Sequence, residues 1–176
     1  MGTIRKGRPE DIPAVAAIYD RILAEEEAGR ASVGWVRGVY PTRATAQAAL
    51  EAGELFVLER DGAVMAAAKI NQEQVPEYVN ARWAAPDAPE EEIMVLHTLV
   101  VDPLQGGKGC GTEFVRFYED YALSHGCRFL RMDTNAKNAD ARSLYARLGY
   151  READIVPCDF NGISGVQLVC LEKTLP

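Results

Sequence analysis

Val100-Val101-Asp102-Pro103-Leu104-Gln105-Gly106-Gly107-Lys108-Gly109-Cys110-Gly111-Thr112 is the stretch on which the fold turns. Upstream of it, Ile93 to Val101 is an apolar, β-branched run ending at Asp102-Pro103, the pattern of a buried central strand. Downstream, Phe114, Val115, Tyr118, Tyr121 and Ala122 recur at helical spacing until Gly126 closes the segment. A strand that turns through glycines into a helix is an anion site by construction. The first N–H groups of a helix lack intrahelical acceptors, and the helix dipole favours negative charge there. Gly107, Gly109 and Gly111 let the backbone approach a phosphate, and Lys108 adds charge. An ATP-type loop needs Ser or Thr after Gly-Lys, but Gly109 follows Lys108; a dinucleotide loop needs G-x-G-x-x-G, but the glycines here alternate. Both fit poorly, and a plain glycine turn into a helix is the bland alternative.

The spacing of Gly109 and Gly111 resembles the CoA-binding motif (Q/R)-x-x-G-x-(G/A) of the GNAT acetyltransferases. One position departs. The family's Gln or Arg falls at Gly106, one place beyond Gln105, so either Gln105 serves through a shifted turn or a Gly106 N–H stands in for the side chain. Later, Asn138-x-x-Ala141-x-x-Leu144-Tyr145-x-x-x-Gly149-Tyr150 resembles the family's N-x-x-A-x-x-L-Y-x-x-x-G-(F/Y) stretch. The two motifs stand in the family's order with a strand, Cys127 to Asp133, between them. The resemblance is close from Ile93 to Tyr150 and reaches the N-terminal part only through the order of elements. It implies an acyl-CoA N-acyltransferase fold, with acetyl-CoA as cofactor and CoA as product. It also implies cofactor contacts at Leu99, Val100, Val101, Gln105, Gly106, Gly107, Lys108, Gly109, Cys110, Gly111, Thr112, Asn138 and Tyr145. Within that set Tyr145 lies near the thioester sulfur, Asn138 bonds the pantetheine arm, and the N–H of Val101 or Leu99 faces the thioester oxygen. Periodicity alone places Asn138, Ala141, Tyr145 and Leu148 on one helix face, where Tyr145 reads as an ordinary core tyrosine.

Such a reaction needs a base, because an alkyl amine with a pKa of about 10.4 is almost wholly protonated at neutral pH. His97 is the first candidate: strand alternation sets it on one face with Leu99 and Val101, and imidazole titrates in the useful range. The resemblance agrees, since related amine acetyltransferases place histidine or glutamate on this strand; a satisfied core histidine is the equal alternative. Glu92, at the strand start, is the second candidate against the reading of Glu90-Glu91-Glu92 as a solvated acidic run. A tyrosine near pKa 10 can return a proton to a departing thiolate, and Tyr145 is placed for this by the resemblance. Cys110 sits at a helix start, which activates a thiol, yet phosphate would occupy the neighbouring N–H groups. Direct transfer in a ternary complex follows.

Around this centre, Thr3 to Lys6 predicts a strand, Pro9 a helix start with Ile12, Val15, Ala16, Tyr19, Ile22 and Leu23 inward, and Glu25 to Glu27 a solvated last turn before Gly29. A second helix is expected from about Thr42 to Ala52, and Trp35 and Tyr40 precede it as packing or, for Tyr40 equally, as a wall of the acceptor site. Asp61-Gly62 between apolar runs predicts a hairpin of Leu55 to Glu59 with Ala63 to Ile70. Asn71 to Glu90, with three prolines, reads as a surface excursion or lid carrying Tyr78 and Trp83. A helix from Asn138 to Leu148, a strand after Gly149 and a last strand from Val166 to Leu171 complete an α/β chain: one layer of mixed, mostly antiparallel sheet with flanking helices.

The 176 residues suit a single domain spanning 1–176, with 48% hydrophobic and 26% charged residues as in ordinary globular proteins. No apolar run approaches a membrane span, and Arg5, Lys6 and Arg8 interrupt any secretory leader. Four scattered cysteines and two histidines give no metal cage, so no metal is expected, and free thiols suit a cytoplasmic location. A net charge of −7 argues against nucleic acid and suits a cationic, small-molecule amine, basic or aromatic. The oligomeric state is open, a homodimer included. The expected enzyme is an acetyl-CoA-dependent N-acetyltransferase acting on a primary amine. An acyl-CoA-binding sensor of the same fold, a nucleotide-binding module, and a transferase of larger acyl groups or onto protein N-termini are its rivals.

Overall fold

A computed structural model describes residues 2–176. The chain runs β1 (Thr3–Lys6), α1 (Ile12–Glu27), α2 (Arg43–Glu51), β2 (Leu55–Arg60), β3 (Ala63–Asn71), β4 (Ile93–Val101), α3 (Cys110–Ser124), β5 (Phe129–Asn135), α4 (Ala139–Arg147), β6 (Arg151–Phe160) and β7 (Ile163–Thr174). The strands form one seven-stranded sheet in the order β1-β2-β3-β4-β5-β7-β6. Its neighbours pair antiparallel except β4 with β5, which run parallel. This is the predicted mixed α/β architecture. No helix among the described residues is long and apolar enough to cross a membrane.

Helices cover both faces. On one, α3 packs Phe114, Val115 and Tyr118 on Phe56, Leu58, Ala66, Met94, Leu96 and Leu130, and α4 adds Tyr145, with Leu148 just past its end. On the other, Val15, Ile18, Tyr19 and Ile22 of α1 and Ala46 and Ala49 of α2 cover Leu55, Val57, Ala67 and Val100. The Asp61-Gly62 hairpin forms as expected, with both residues at positive φ (50° and 77°), the geometry of a two-residue turn matched to strand twist.

Four readings need correction. Asn71 to Glu90 is no free lid: Tyr78 and Trp83 are 2% and 9% exposed and pack with Ile93, Val95, Leu168 and Cys170 against the sheet. Pro76 and Pro89 start short 3₁₀ turns, and the aromatics supply the apolar anchor that a polar segment needs to lie flat. Glu26 is not merely solvated; its carboxylate accepts the N–H groups of Val33 (3.0 Å) and Gly34 (2.9 Å) and so holds the loop after α1. β5 starts at Phe129 rather than Cys127, and β7 extends to Ile163–Thr174 because β6 pairs it along most of its length.

The fourth concerns β4. Lys69 of β3 stands opposite His97 and Ala67 opposite Val100, so Thr98 and Leu99 together face one β3 residue. Thr98 has φ 52°, an unusual conformation for a β-branched residue. This bulge advances the side-chain alternation by one. Leu99 and Val101 consequently lie on the α3 face with Met94 and Leu96, whereas His97 falls on the opposite face with Ile93 and Val95. Strict period-two counting across Thr98 put His97 on the wrong side.

Candidate functional site

The bulge also opens the sheet. β4 and β5 pair only as Ile93–Leu96 with Phe129–Met132, although β4 continues to Val101 and β5 to Asn135. A bulged strand bends and twists more strongly than its neighbour, and the two strands part beyond Leu96 and Met132. His97 and Asp133 are the first residues past the last pair, at the base of a fork. Each has the parity opposite to Leu96 and Met132, which face α3, so both side chains are directed to the α1 and α2 face. The Asp102 N–H bonds back to Met65 O at 2.9 Å on β3. By alternation, the N–H groups of Leu99 and Val101 point the other way, into the fork.

A cleft of about 1020 Å³ occupies this gap. At its α3 end stands the glycine turn. Gly107 and Gly109 adopt left-handed φ of 76° and 75°, and a side chain at either would meet nothing within 4 Å. Among the described residues, the N–H groups of Gly107 through Thr112 bond to no acceptor, whereas Glu113 N resumes the helix by bonding to Gly109 O at 3.0 Å. Successive free N–H groups at a helix start form a concavity for anionic oxygens. Asp102 holds the approach to this turn, bonded to Arg21 of α1 at 2.7 Å and accepting Leu104 N–H at 3.0 Å.

The predicted residues divide plainly. His97, Leu99, Val100, Val101, Gln105, Gly106, Gly107, Gly109, Cys110, Gly111, Thr112, Asn138 and Tyr145 all line the cleft. Lys108 does not; its Nζ donates to Gln105 Oε1 at 2.8 Å on the exposed outside of the turn. The Gly106 N–H turns back toward Pro103 O at 3.4 Å and so is not among the free donors. Glu92 ends the 3₁₀ turn before β4, about 16 Å of strand away from His97, and does not reach the cleft. Cys110 is buried in the core beside Phe114 as a small packing residue.

Tyr145 projects from α4 with its ring against Tyr150 (centroids 6.0 Å apart), and its hydroxyl has no hydrogen-bond partner among the described residues. Burial, reinforced by the charge of Asp133, raises its pKa well above the usual phenol value. Asn138 caps α4, its Oδ1 accepting Ala141 N–H at 3.1 Å, which leaves its amide NH₂ for the cleft. His97 Nε2 lies 2.7 Å from Asn71 Oδ1. That oxygen also accepts Glu73 N–H at 3.0 Å, while Asn71 Nδ2 donates to Glu54 at 2.5 Å, so the amide orientation is set and His97 must carry its proton on Nε2. Burial, then the charge of Lys69, lowers the His97 pKa to about 4.

Three further residues line the cleft: Trp35, read from the sequence as packing, Tyr40, read equally as packing or as a wall of the acceptor site, and Asp133, which escaped the sequence. Tyr40 is hydrogen-bonded to Thr98, and Trp35 meets it edge-on at 5.9 Å. Asp133 accepts the Tyr78 hydroxyl at 2.6 Å, yet burial outweighs that bond and pushes its carboxyl up to about 6. Its signal was available: in Phe129 to Asn135 an acid alternates with the core residues Leu130 and Met132, a charge on a sheet whose faces are both covered.

The model of the acetyltransferase (GNAT) family matches residues 18–150. The chain belongs to this family. A 67-residue stretch is 31% identical to an uncharacterized N-acetyltransferase of Methanocaldococcus jannaschii, covering 38% of this chain and 30% of that protein. The chain spans only 30% to 55% of the length of the curated relatives it matches. Among solved structures, a GNAT acetyltransferase from Streptococcus agalactiae superposes with a TM-score of 0.83 at 20% identity, covering 99% of this chain and 96% of that one. The protein yncA of Salmonella typhimurium, solved with its cofactor acetyl-CoA, superposes with a TM-score of 0.69 at 21% identity over 100% of this chain and 95% of its own. GNAT proteins use acetyl-CoA. The donor set here suits such a ligand: free backbone N–H groups for phosphate oxygens, and an unpaired strand edge for amide groups.

Proposed function

We propose that the protein transfers acetyl from acetyl-CoA to a primary amine by direct attack in a ternary complex. One observation carries this reading: a single cleft runs from the free N–H groups of the glycine turn, along the open β4 edge, to Tyr145 and His97. The N–H groups of Gly107 and Gly109 to Thr112 would hold the diphosphate, and the Asn138 amide with the β4 edge would hold the pantetheine. Acetyl-CoA supplies an activated acyl carbon and a thiolate leaving group. The Leu99 or Val101 N–H stabilises the negative charge that develops on the acyl oxygen. Tyr145, fully protonated at neutral pH, donates to the departing sulfur. His97, neutral with its proton held on Nε2, presents the Nδ1 lone pair as an acceptor that orients the attacking amine. A pKa lowered to about 4 by burial makes it a weak base at neutral pH, and another group takes the amine's proton. Four free cysteines suit the cytoplasm we propose as its location.

The test is thermal shift with acetyl-CoA, CoA, ATP and NAD. At a hundredfold excess over Kd, a ligand selective for the folded state adds about 2.7 kcal/mol. Stabilisation by the CoA species alone, followed by thiol release with an amine, supports the reading. Equal or greater stabilisation by ATP overturns it, and binding of acetyl-CoA without turnover of any amine leaves a sensor in its place.

A further inference from the structure

Everything the transfer needs on the cofactor side lies on the glycine turn, the β4 edge and α4. The same cleft continues as a chamber on the opposite face of the fork, and one charged group stands at its base. Asp133 projects there from β5, beside His97, and Tyr78 from the packed segment after β3 holds its carboxylate at 2.6 Å. The chamber walls are Trp35, Tyr40, Val75, Phe160, Ile163 and Leu168. The β6–β7 hairpin closes over the top, with Gly162 packed so tightly that a Cβ there would meet Val39 at 3.2 Å. The remaining charges at this end are engaged or peripheral. Glu25 and Arg30 pair at 2.7 Å, Lys69 lies 4.0 Å from Glu54, and Glu73 sits at the rim.

We propose that Asp133 receives the ammonium group of the acceptor and takes its proton, and that the acceptor is a primary amine carried on an apolar, uncharged body. This rests on the acetyl-transfer reading above. An ammonium entering an apolar chamber keeps its charge only if a counter-charge meets it, and a carboxylate already desolvated at the base of the fork supplies one. The chamber disfavours the charged carboxylate as well as the ammonium, so both desolvation effects favour moving the proton from nitrogen to carboxylate. The neutral amine nitrogen then attacks the acyl carbon, the C–N bond forms and the C–S bond breaks. Of the two protons left on nitrogen, one stays on the amide, and the thiolate gains one through Tyr145, which the other replenishes. Asp133 returns its own proton to solvent, so an ammonium and acetyl-CoA yield an amide, CoA thiol and one proton. The apolar walls then bind the body of the acceptor, where a second charge would lie without a partner.

The groups that face Asp133 are Cys170 from β7, Cys158 from β6, Tyr145 from α4, Tyr40 from the loop before α2, and Tyr78 with Glu77 from the segment after β3, while His97 of β4 lines the same cleft. None of these is a cation at neutral pH. The carboxyl pKa of about 6 therefore sets the acid limb of the rate profile.

The experiment measures thiol release at saturating acetyl-CoA for 2-phenylethylamine, hexylamine, spermidine and phenylalanine, with pH profiles from 5 to 9. The two apolar amines should exceed spermidine and phenylalanine at least tenfold in kcat/KM. Asp133→Asn should lose at least a hundredfold, mostly as a higher amine KM, and lose the acid limb near pH 6, while its thermal shift with acetyl-CoA is unchanged. Tyr78→Phe provides an independent arm: without the hydroxyl that favours the charged carboxylate, the acid limb should move to higher pH. Preference for spermidine or phenylalanine overturns the acceptor class, as does binding of acetyl-CoA with none of the four amines consumed. Turnover with an unchanged limb in Asp133→Asn, or in Tyr78→Phe should the first variant not fold, overturns the role of Asp133. Failure of acetyl-CoA to stabilise the unaltered protein would instead strike the acetyl-transfer reading itself.

Discussion

At the scale of single residues, the cleft is organised by what its polar side chains are already bonded to. Asn71 spends both ends of its amide on Glu73 and Glu54 and so dictates where the His97 proton sits. Tyr145 has the opposite character: a buried ring whose hydroxyl is left free toward the cleft. Tyr145→Phe keeps the ring packing against Tyr150 and removes only the donor. It should lower kcat by about 10²-fold or more, in the range of lost general-acid catalysis, while the thermal shift with acetyl-CoA stays within experimental error. A variant that keeps full kcat would return Tyr145 to being a core tyrosine. The helical pattern could place that ring inward but could not show that its oxygen lacks a partner, since the partners would come from other elements.

At the scale of elements, two backbone irregularities make the site. The left-handed Gly107 and Gly109 aim consecutive N–H groups into the cleft, and the bulge at Thr98 parts β4 from β5. Gly109→Ala is resisted by conformation and not by crowding, because nothing lies within 4 Å of the added Cβ. The left-handed penalty is about 1–2 kcal/mol. Relief of that strain by turning the peptide would misdirect the donors, so the variant should lose both apparent Tm and acetyl-CoA affinity, measured by thermal shift and calorimetry. Gly34→Ala offers the contrast: φ is 80° and the Cβ would fall inside the Asn135 amide, so folding stability should suffer more. If Gly109→Ala binds acetyl-CoA normally, the turn is a structural stop and not a cradle. The glycine turn was readable because alternating glycines before a helical pattern leave few conformations open. The bulge was not, because nothing in His97-Thr98-Leu99 departs from a regular apolar strand; only the register with β3 reveals it.

At the scale of the whole molecule, the site is held at a cost to stability. The Asp133 carboxyl titrates near 6 in the folded protein against an ordinary 3.8, so between those values the unfolded chain has lost its proton while the fold keeps it. Stability contributed by this group is full at low pH and falls as pH rises through about 6, by about 2–3 kcal/mol. His97 does the reverse. Its pKa falls from 6.5 to about 4 on folding, so its contribution is lost as pH drops through nearly the same window. The two effects offset each other in the unaltered protein. Asp133→Asn leaves His97 alone: urea unfolding should show stability rising from pH 4 to 6.5, and at pH 7 the variant should be more stable than the parent by about 2 kcal/mol. A variant less stable at pH 7 would mean that the carboxylate is satisfied where it stands. This charge was not legible in composition, since −7 is a sum over the whole chain and says nothing about one half-buried acid.

The amino-acid sequence by itself determined the order of elements, the Asp61-Gly62 hairpin, the glycine turn at Gly107 to Gly111 and the helix that starts after Asn138 and carries Tyr145 inward. All of these are local, since period, turn chemistry and glycine spacing act over a few neighbouring residues. Only the tertiary structure decided that β4 and β5 fork, that His97 faces away from Leu99, that Tyr78 and Trp83 pin the segment after β3 to the sheet, and that Asp133 stands at the base of the cleft. Those features depend on the register between strands and on which element covers which face, where a single extra residue in one strand re-aims every side chain beyond it.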